Sequence, residues 1–461
     1  MRALLLGLLL GSCVQVEPKP DFDRTRELIT ESTGQSHVYS PYEASISESE
    51  LDELLVDGLS LEEALTLALS NNYELQADFQ EIGIANAEWV QAQLLPNPSL
   101  DLLLRFPRGG GRSLLEANLG IELLDLWRVP AKTEAARQNL DAVVLRIARR
   151  AGERAAETES RYYAAVAAEE LLAVAASSVE LAERSYQAVQ DLHSAGAADA
   201  LAESIARGPL LAARAEERAA RVKTANARRE LAKQLSLHRA VETLVLSDSL
   251  PTTAASELDA EKLVELALEA RLDLRAIVAT IETLDTRMTN EERAAWGQFS
   301  AGVNLERPAG SGSSAYGPAV SLSLPLFDQN QAQVARAGFE LHQMRLLLEA
   351  ARVAVTQNVR SGTARVNAAS SNLRFYSEEL LPQSQLALDL AAESYAAGNL
   401  PLFELVEVKR GVLSTRESQV LLRLEAATAA AELERIVGTS TGRLVDVASS
   451  DSLPLSNAYD D

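Results

Sequence analysis

The chain is poor in the residues from which most enzymes and metal proteins build their chemistry. Its 461 residues include one cysteine, three methionines and four histidines. A single cysteine, Cys13, excludes an intramolecular disulfide. His37, His193, His238 and His342 are scattered, and none forms a spaced pair with another His or Cys. The sequence therefore offers no metal site and implies no cofactor. His342 and Met344 are two apart on a helical pattern and do not face each other. No phosphate-binding loop, nucleophile elbow or dinucleotide fingerprint stands at a strand-to-helix turn. No catalytic residue is assigned, and the expectation is a protein that is not an enzyme. Gly109–Gly111 is glycine-rich but precedes a strand, so it reads as a hairpin loop.

Basic charge is also short: 43 Lys and Arg face 66 Asp and Glu, for a net charge of −23. Nucleic acid is excluded as a partner, because phosphate recognition needs clustered cations. Most of the acid reads as a solvated surface, with a cation-biased cavity as the functional use of the rest. Aromatics are 5% of residues and the prolines cluster as punctuation. Alanine, leucine, glutamate and arginine dominate instead, a composition of long helices. No apolar run approaches the roughly 18 residues of a spanning helix, so any crossing of a membrane must be made by strands. Met1-Arg2 and the apolar stretch Ala3–Leu10 read as a signal peptide over residues 1–12. Leu10-Gly-Ser-Cys13 then resembles a bacterial lipobox. That resemblance implies cleavage before Cys13, acylation of the palmitate type there, and a lipid-anchored extended segment over 13–58.

What is present is a repeat, offset by roughly 200 residues. Leu59–Leu69 resembles Leu258–Leu268, with Ser60 and Asp259 at the positions of helix N-caps. Gly120–Trp127 lines up with Val320–Phe327, and His193–Gly196 with Tyr395–Gly398. The copies occupy 59–257 and 258–438, and each reads helix, two strands, long helix, turn, helix. An acidic tail, 439–461, follows. Arg128 to about His193 reads as helix on the order of 100 Å long, and Gln329 to about Tyr395 as its counterpart. Pro382 predicts a kink or break, and Gly208-Pro209 a disturbance of the first returning helix. Gly196 and Gly398 supply turn geometry, and the small alanines predict close, coiled-coil-type packing.

Four segments alternate with a period of two: Asn97–Phe106, Leu115–Leu124, Gln298–Arg307 and Ala315–Pro325. Leu100, Leu102 and Leu104 share a face opposite Ser99, Asp101 and Arg105; Phe299, Val303 and Leu305 oppose Ser300, Gly302 and Asn304. The pairs form strand hairpins within 97–127 and 298–327, joined by Gly109–Gly111 and Gly310–Gly312. Tilted strands of about 9–11 residues cross a bilayer, and small or charged inward residues suit a watery lumen. Four strands cannot close a barrel, and open edges in lipid are forbidden, so several copies must combine. Three would supply about twelve strands. The competing expectation is a non-conducting, lipid-anchored coiled-coil scaffold of the envelope.

Over nearly all of Leu59–Gly438 the chain resembles the TolC-like outer-membrane efflux proteins, the family of outer-membrane factor lipoproteins. The motifs are Leu61–Leu69 with Asn71-Asn72, Leu94–Leu100, Ser323–Phe327, Leu381-Pro382, and Tyr395–Gly398 followed by Phe403–Glu407. The resemblance implies a mainly α protein with a β-barrel part: long antiparallel helical hairpins forming a periplasmic tunnel, and four transmembrane strands per chain in a homotrimeric twelve-strand barrel. It implies an outer-membrane exit duct of a tripartite efflux or type I secretion system. Its partners would be a periplasmic adaptor (membrane fusion) protein, an inner-membrane pump and outer-membrane lipid. It places the adaptor-docking turns at Gly196, Ala197, Gly398, Asn399 and Leu400, and the closed aperture at Glu404 and Glu407. These two glutamates are three apart and share a helix face. Lys409 and Arg410 are the cations placed to pair across neighbouring helices. Ala195–Ser204 follows the family pattern loosely. Val14–Asp57 and Thr439–Asp461 match little, and the expectation for them is extended chain or a belt around the tunnel.

Overall fold

The computed structural model describes residues 15–43, 58–238, 244–252, 257–309 and 312–439. Ahead of both copies lies α1 (Lys19–Thr33). The first copy runs α2 (Leu61–Ser70), α3 (Tyr73–Gln93), β1 (Ser99–Arg105), β2 (Leu114–Glu122), α4 (Leu123–Ser194) and α5 (Ala200–Gln234). The second repeats the order with α6 (Ala260–Ala270), α7 (Leu272–Ala294), β3 (Phe299–Arg307), β4 (Ala315–Leu322) and α8 (Gln331–Phe375). A π-helical turn, Tyr376–Leu380, leads from α8 to α9 (Leu381–Ala396), and α10 (Leu402–Val437) returns. The protein is mainly helical with one antiparallel sheet. Among the described residues no helix is long and apolar enough to cross a membrane.

Local sequence explains the boundaries. Ser60 and Glu63 form a capping box: the Ser60 hydroxyl accepts from the Glu63 amide and the Glu63 carboxylate accepts from the Ser60 amide at 2.8 Å. Asp259 caps α6 by accepting from the Glu261 amide at 2.9 Å. Three expectations are corrected. The single helix expected at the head of each copy is two, divided at Asn71-Asn72 and at Arg271. Asn72 folds back so that its Oδ1 accepts from the Leu75 amide at 3.0 Å and restarts the helix. Lys19–Thr33 is helical, because Phe22, Thr25 and Ile29 fall at helical spacing and are buried together along one face. The helix α5 runs unbroken through Pro209; that residue is exposed, so the carbonyl left without a partner one turn back faces water. Pro130 likewise lies inside α4 without ending it. Pro382 does coincide with an interruption, the π-helical turn just before it, and sits in the first turn of α9 where its missing amide costs nothing.

The described residues form two compact units, one drawn from 1–25, 78–147 and 272–352 and the other from 26–77, 148–271 and 353–461. The first unit holds the sheet, in the order β1-β2-β3-β4, antiparallel throughout. Its helical segments continue the strands in the same order. The Thr133 hydroxyl of α4 donates to the Ala92 carbonyl of α3 at 3.0 Å. The Thr286 hydroxyl of α7 donates to Gln138 of α4 at 2.9 Å, and Arg128 of α4 donates to Asn290 of α7 at 3.2 Å. Arg345 of α8 approaches Asp285 of α7 at 3.9 Å, and Asn330, just before α8, donates to the Glu291 carbonyl at 2.8 Å. Helices α3, α4, α7 and α8 thus form a row, and α1 covers α3 with Phe22 stacked on Phe79.

The second unit has a core of Leu59, Leu67, Tyr162, Val166, Leu231, Leu235, Leu250 and Val420. Tyr162 is fully buried, and its hydroxyl is satisfied by donation to the Leu59 carbonyl at 2.8 Å. The stretch 244–252, near the end of the first copy, straps this core. Leu246 bridges to Leu59 in parallel, Asp248 accepts from the Leu61 amide at 2.7 Å, and Arg423 donates to the carbonyls of Leu250 and Pro251.

Candidate channel wall, aperture and tip

The strand register sorts side chains by face, because directly paired residues point the same way. One face carries the rows Leu100–Leu119–Val303–Pro318, Leu102–Ala117–Leu305–Tyr316, Ile121–Ala301–Val320 and Phe299–Leu322. The other carries Ser99–Gly120–Gly302–Ala319, Asp101–Asn118–Asn304–Gly317 and Glu122–Ser300–Ser321, with a row in which Leu103 and Ala315 flank Glu116 and Glu306. A slip of one residue in any pairing would have scrambled both faces. Every residue of β1 is exposed, as are Val303, Tyr316, Val320 and Leu322. An apolar face without an apolar partner in the chain suits lipid, and the polar face suits a watery bore.

The two hairpins meet at Gly120 and Gly302. A Cβ on Gly302 would lie 2.2 Å from the Leu119 carbonyl oxygen, so only glycine allows β2 and β3 to approach this closely.

Aromatic residues mark both ends of the sheet, a feature that the reading of the strands alone missed. Phe106 and Tyr316 stand exposed at the hairpin-turn end. Trp127 just after β2, Trp296 just before β3 and Phe327 just after β4 stand exposed at the opposite end. Two of the three tryptophans therefore flank the strands. Amphipathic rings at both ends of an apolar band are the pattern of interfacial girdles. The Arg293 guanidinium sits over the Trp127 ring at 5.2 Å. The signal was available in the sequence: in a chain so poor in aromatics, five crowd the strand ends.

The two long hairpins close on the same motif. At Gly196 (φ +72°) the Ala197 amide donates to Leu192 at 2.8 Å and the Gly196 amide to His193 at 2.9 Å. At Gly398 (φ +77°) the Asn399 amide donates to Ser394 at 2.9 Å and the Gly398 amide to Tyr395 at 3.0 Å. Both are Schellman ends, whose left-handed position favours glycine. Their surroundings differ. In the first hairpin Asp199 caps α5, accepting from the Ala202 amide at 2.8 Å. Glu203 there accepts from Tyr186 and Gln190, each at 3.1 Å, and these bonds hold its carboxyl below the usual range. In the second hairpin Pro401 opens α10 with no side-chain cap. Asn399 and Leu400 stand in that turn, and Ala197 is exposed in the first.

Glu404 and Glu407 both lie exposed in the first two turns of α10, while Leu405 and Val406 between them are buried. Among the described residues Arg410 pairs within its own helix, donating to Glu407 at 2.5 Å. Lys409 lines a groove of about 250 Å³ with Leu181, Leu388, Val412 and Arg416. Among the described residues, no group of three or more His, Cys, Asp and Glu is placed to hold a metal ion. Cys13 lies outside the described residues, as does most of the turn Gly310–Gly312.

Comparison with known proteins agrees with this geometry. The chain is 24% identical over 401 residues to the cobalt-zinc-cadmium resistance protein CzcC of Cupriavidus metallidurans, covering 82% of this chain and 90% of that one. Its fold matches the open-state MtrE outer membrane channel of Neisseria gonorrhoeae with a TM-score of 0.65 at 20% identity, covering 82% of this chain and 89% of that one. It also matches the CmeC outer membrane channel of Campylobacter jejuni with a TM-score of 0.65 at 15% identity, covering 88% and 91% of the two chains. The profile of the family described as outer membrane efflux protein matches residues 64–236 and 263–439. With most of both copies matched, the chain belongs to the outer membrane efflux protein family.

Proposed function

We propose that this chain is one protomer of a trimeric outer-membrane duct, through which an inner-membrane pump and a periplasmic adaptor export solutes without chemistry in the duct itself. The observation that carries the reading is the register of the sheet. It gathers most apolar residues of the four strands on one face and most polar residues on the other, with Leu103 and Leu114 the exceptions on the polar face and Arg307 on the apolar one, yet leaves β1 and β4 as open edges. Open edges in lipid are forbidden, and three copies make a closed barrel of about twelve strands. In this reading 59–257 and 258–438 are the two copies of one plan. Cys13 bears the lipid anchor, the turns at Gly196-Ala197 and Gly398–Leu400 meet the adaptor, and Glu404 and Glu407 ring the closed end.

The test is native mass spectrometry of the detergent-extracted protein, followed by single-channel recording in a planar bilayer. A mass of three chains and discrete conductance steps are expected. A monomer with no conductance would leave the non-conducting scaffold in its place. At the aperture, carboxylate rings favour cations. Glu404→Ala with Glu407→Ala is therefore expected to lower cation selectivity and to weaken block by multivalent cations. Wild-type selectivity and block in that double variant would remove these two residues from the aperture while leaving the duct.

A further inference from the structure

Two grooves run along α4 in the second unit, and their charges differ. One, of about 330 Å³, lies between α4 and α5. Its cations are satisfied within the chain: Arg228 pairs with Glu169 at 2.7 Å and Arg221 with Glu217 at 2.6 Å, and Arg229 donates to Asn226 at 3.1 Å. The other, of about 250 Å³, is the seam between α4 and α10, with Leu388 of α9 at its side. Its floor is aliphatic. Leu405, Val406 and Val412 are buried there, and Leu181 and Leu388 are half-buried. Its cations are not satisfied in the same way. Lys409 and Arg416 line the seam, and among the described residues neither makes a hydrogen bond or an ion pair. Glu180 is the one carboxylate in the lining, and it is bonded to Arg184 one turn on. In a chain with 66 acidic residues against 43 basic, this seam has the opposite balance from the molecule around it.

We propose that the seam binds a single-chain anionic amphiphile, a medium-chain carboxylate, with its chain along Leu181, Leu388 and Leu405 and its head held by Lys409 and Arg416. The site lies within one chain, so it stands apart from the oligomeric duct. The two cations are seven residues apart on one face of α10, about 10 Å along the axis, and side chains of their length can converge on one anion. Arg416 offers a planar fork that matches a carboxylate, and Lys409 a mobile point charge. The floor takes the chain out of water, which is the non-directional part of the binding. Size limits the occupant. The seam is smaller than the roughly 300–1,000 Å³ of pockets for drug-sized ligands, so it suits one short chain and not the two chains of a phospholipid. Sign limits it further: a cationic amphiphile of equal length would meet Lys409 and Arg416 as like charges.

The probe is a diazirine-bearing octanoate, irradiated with the full chain in phosphatidylcholine nanodiscs and mapped by peptide mass spectrometry. Labelled peptides are expected from 177–185 and 402–416, lost with excess octanoate and kept with excess octylammonium. Lys409→Gln with Arg416→Gln removes both charge-assisted bonds and is expected to lower this labelling about tenfold or more. Ser185→Trp keeps both cations but fills the groove that Ser185 lines, and it is expected to lower the labelling as far. Wild-type helical circular dichroism is expected in each variant; should one misfold, the competition on the wild-type chain decides alone. Labelling confined to the strands would overturn the proposal. Equal competition by octylammonium would also overturn it, leaving an apolar groove without selectivity. Undiminished labelling in the folded variants would do the same, by placing the adduct elsewhere.

Discussion

At the scale of single residues, position 302 shows how little freedom the junction of the two copies has. Gly302→Val would drive the Cβ itself into the Leu119 carbonyl. The clash is with backbone, so no side chain can turn away to relieve it. A cost of about 1–3 kcal/mol is expected, read as a lower melting temperature and loss of the folded sheet in detergent, whereas Gly317→Ala, with open space around it, should be tolerated. Titration is set elsewhere. Burial pushes the Glu159 carboxyl up to about 7 from an ordinary value of 4.5. Tyr163, one turn on, is pushed up to about 12, first by burial and then by the charges of Glu159, Asp248 and Glu434. Between pH 4.5 and 7 the folded protein keeps the Glu159 proton that the unfolded chain has released, so stability falls as pH rises through that window. Glu159→Gln should flatten this part of the melting-temperature profile and raise stability at pH 8; an unchanged profile would remove Glu159 from the account.

At the scale of elements, the hairpin turns share one backbone motif but not one environment. The first is tied by Asp199 and by the bonds of Tyr186 and Gln190 to Glu203, while α10 starts without a side-chain cap. Amide hydrogen exchange should therefore be faster around 399–404 than around 199–204, and Glu203→Ala should bring the first turn towards the second. A charged residue inserted beside Asn399 or Leu400 is expected to abolish efflux-dependent resistance at normal trimer yield; full resistance would dismiss the docking role. Much of this scale was legible beforehand. Period-two segments became strands within a few residues of their expected ends, and Ser60 and Asp259 became caps, because these signals are local. The corrected proline, Pro209, shows where legibility stops. Whether a proline breaks a helix depends on whether the orphaned carbonyl can reach water, which is a property of packing. Likewise the pairing of Arg410 with Glu407 was decided by a one-turn reach on the same helix. The helix at Lys19–Thr33 was hidden because its apolar face is only three residues deep.

At the scale of the whole molecule, the proposed duct would divide its anchoring between a barrel and a lipid. A single acyl chain binds membranes only marginally, and an inserted barrel does not leave. Cys13→Ser should abolish fatty-acid labelling yet leave the protein in the outer-membrane fraction; labelling that persists in the variant would dismiss the lipobox. The sheet has a further consequence. A building block whose left edge fits the right edge of its copy has no intrinsic limit on how many copies it joins. The count is fixed only by the turn that each block adds, and a ring of three requires one third of a revolution from each. Twist and curvature between β2 and β3, where Gly120 faces Gly302, are part of that angle. Flattening this junction by a fraction of the required turn would leave edges that still adhere but never meet, and the product would be an open polymer rather than a pore.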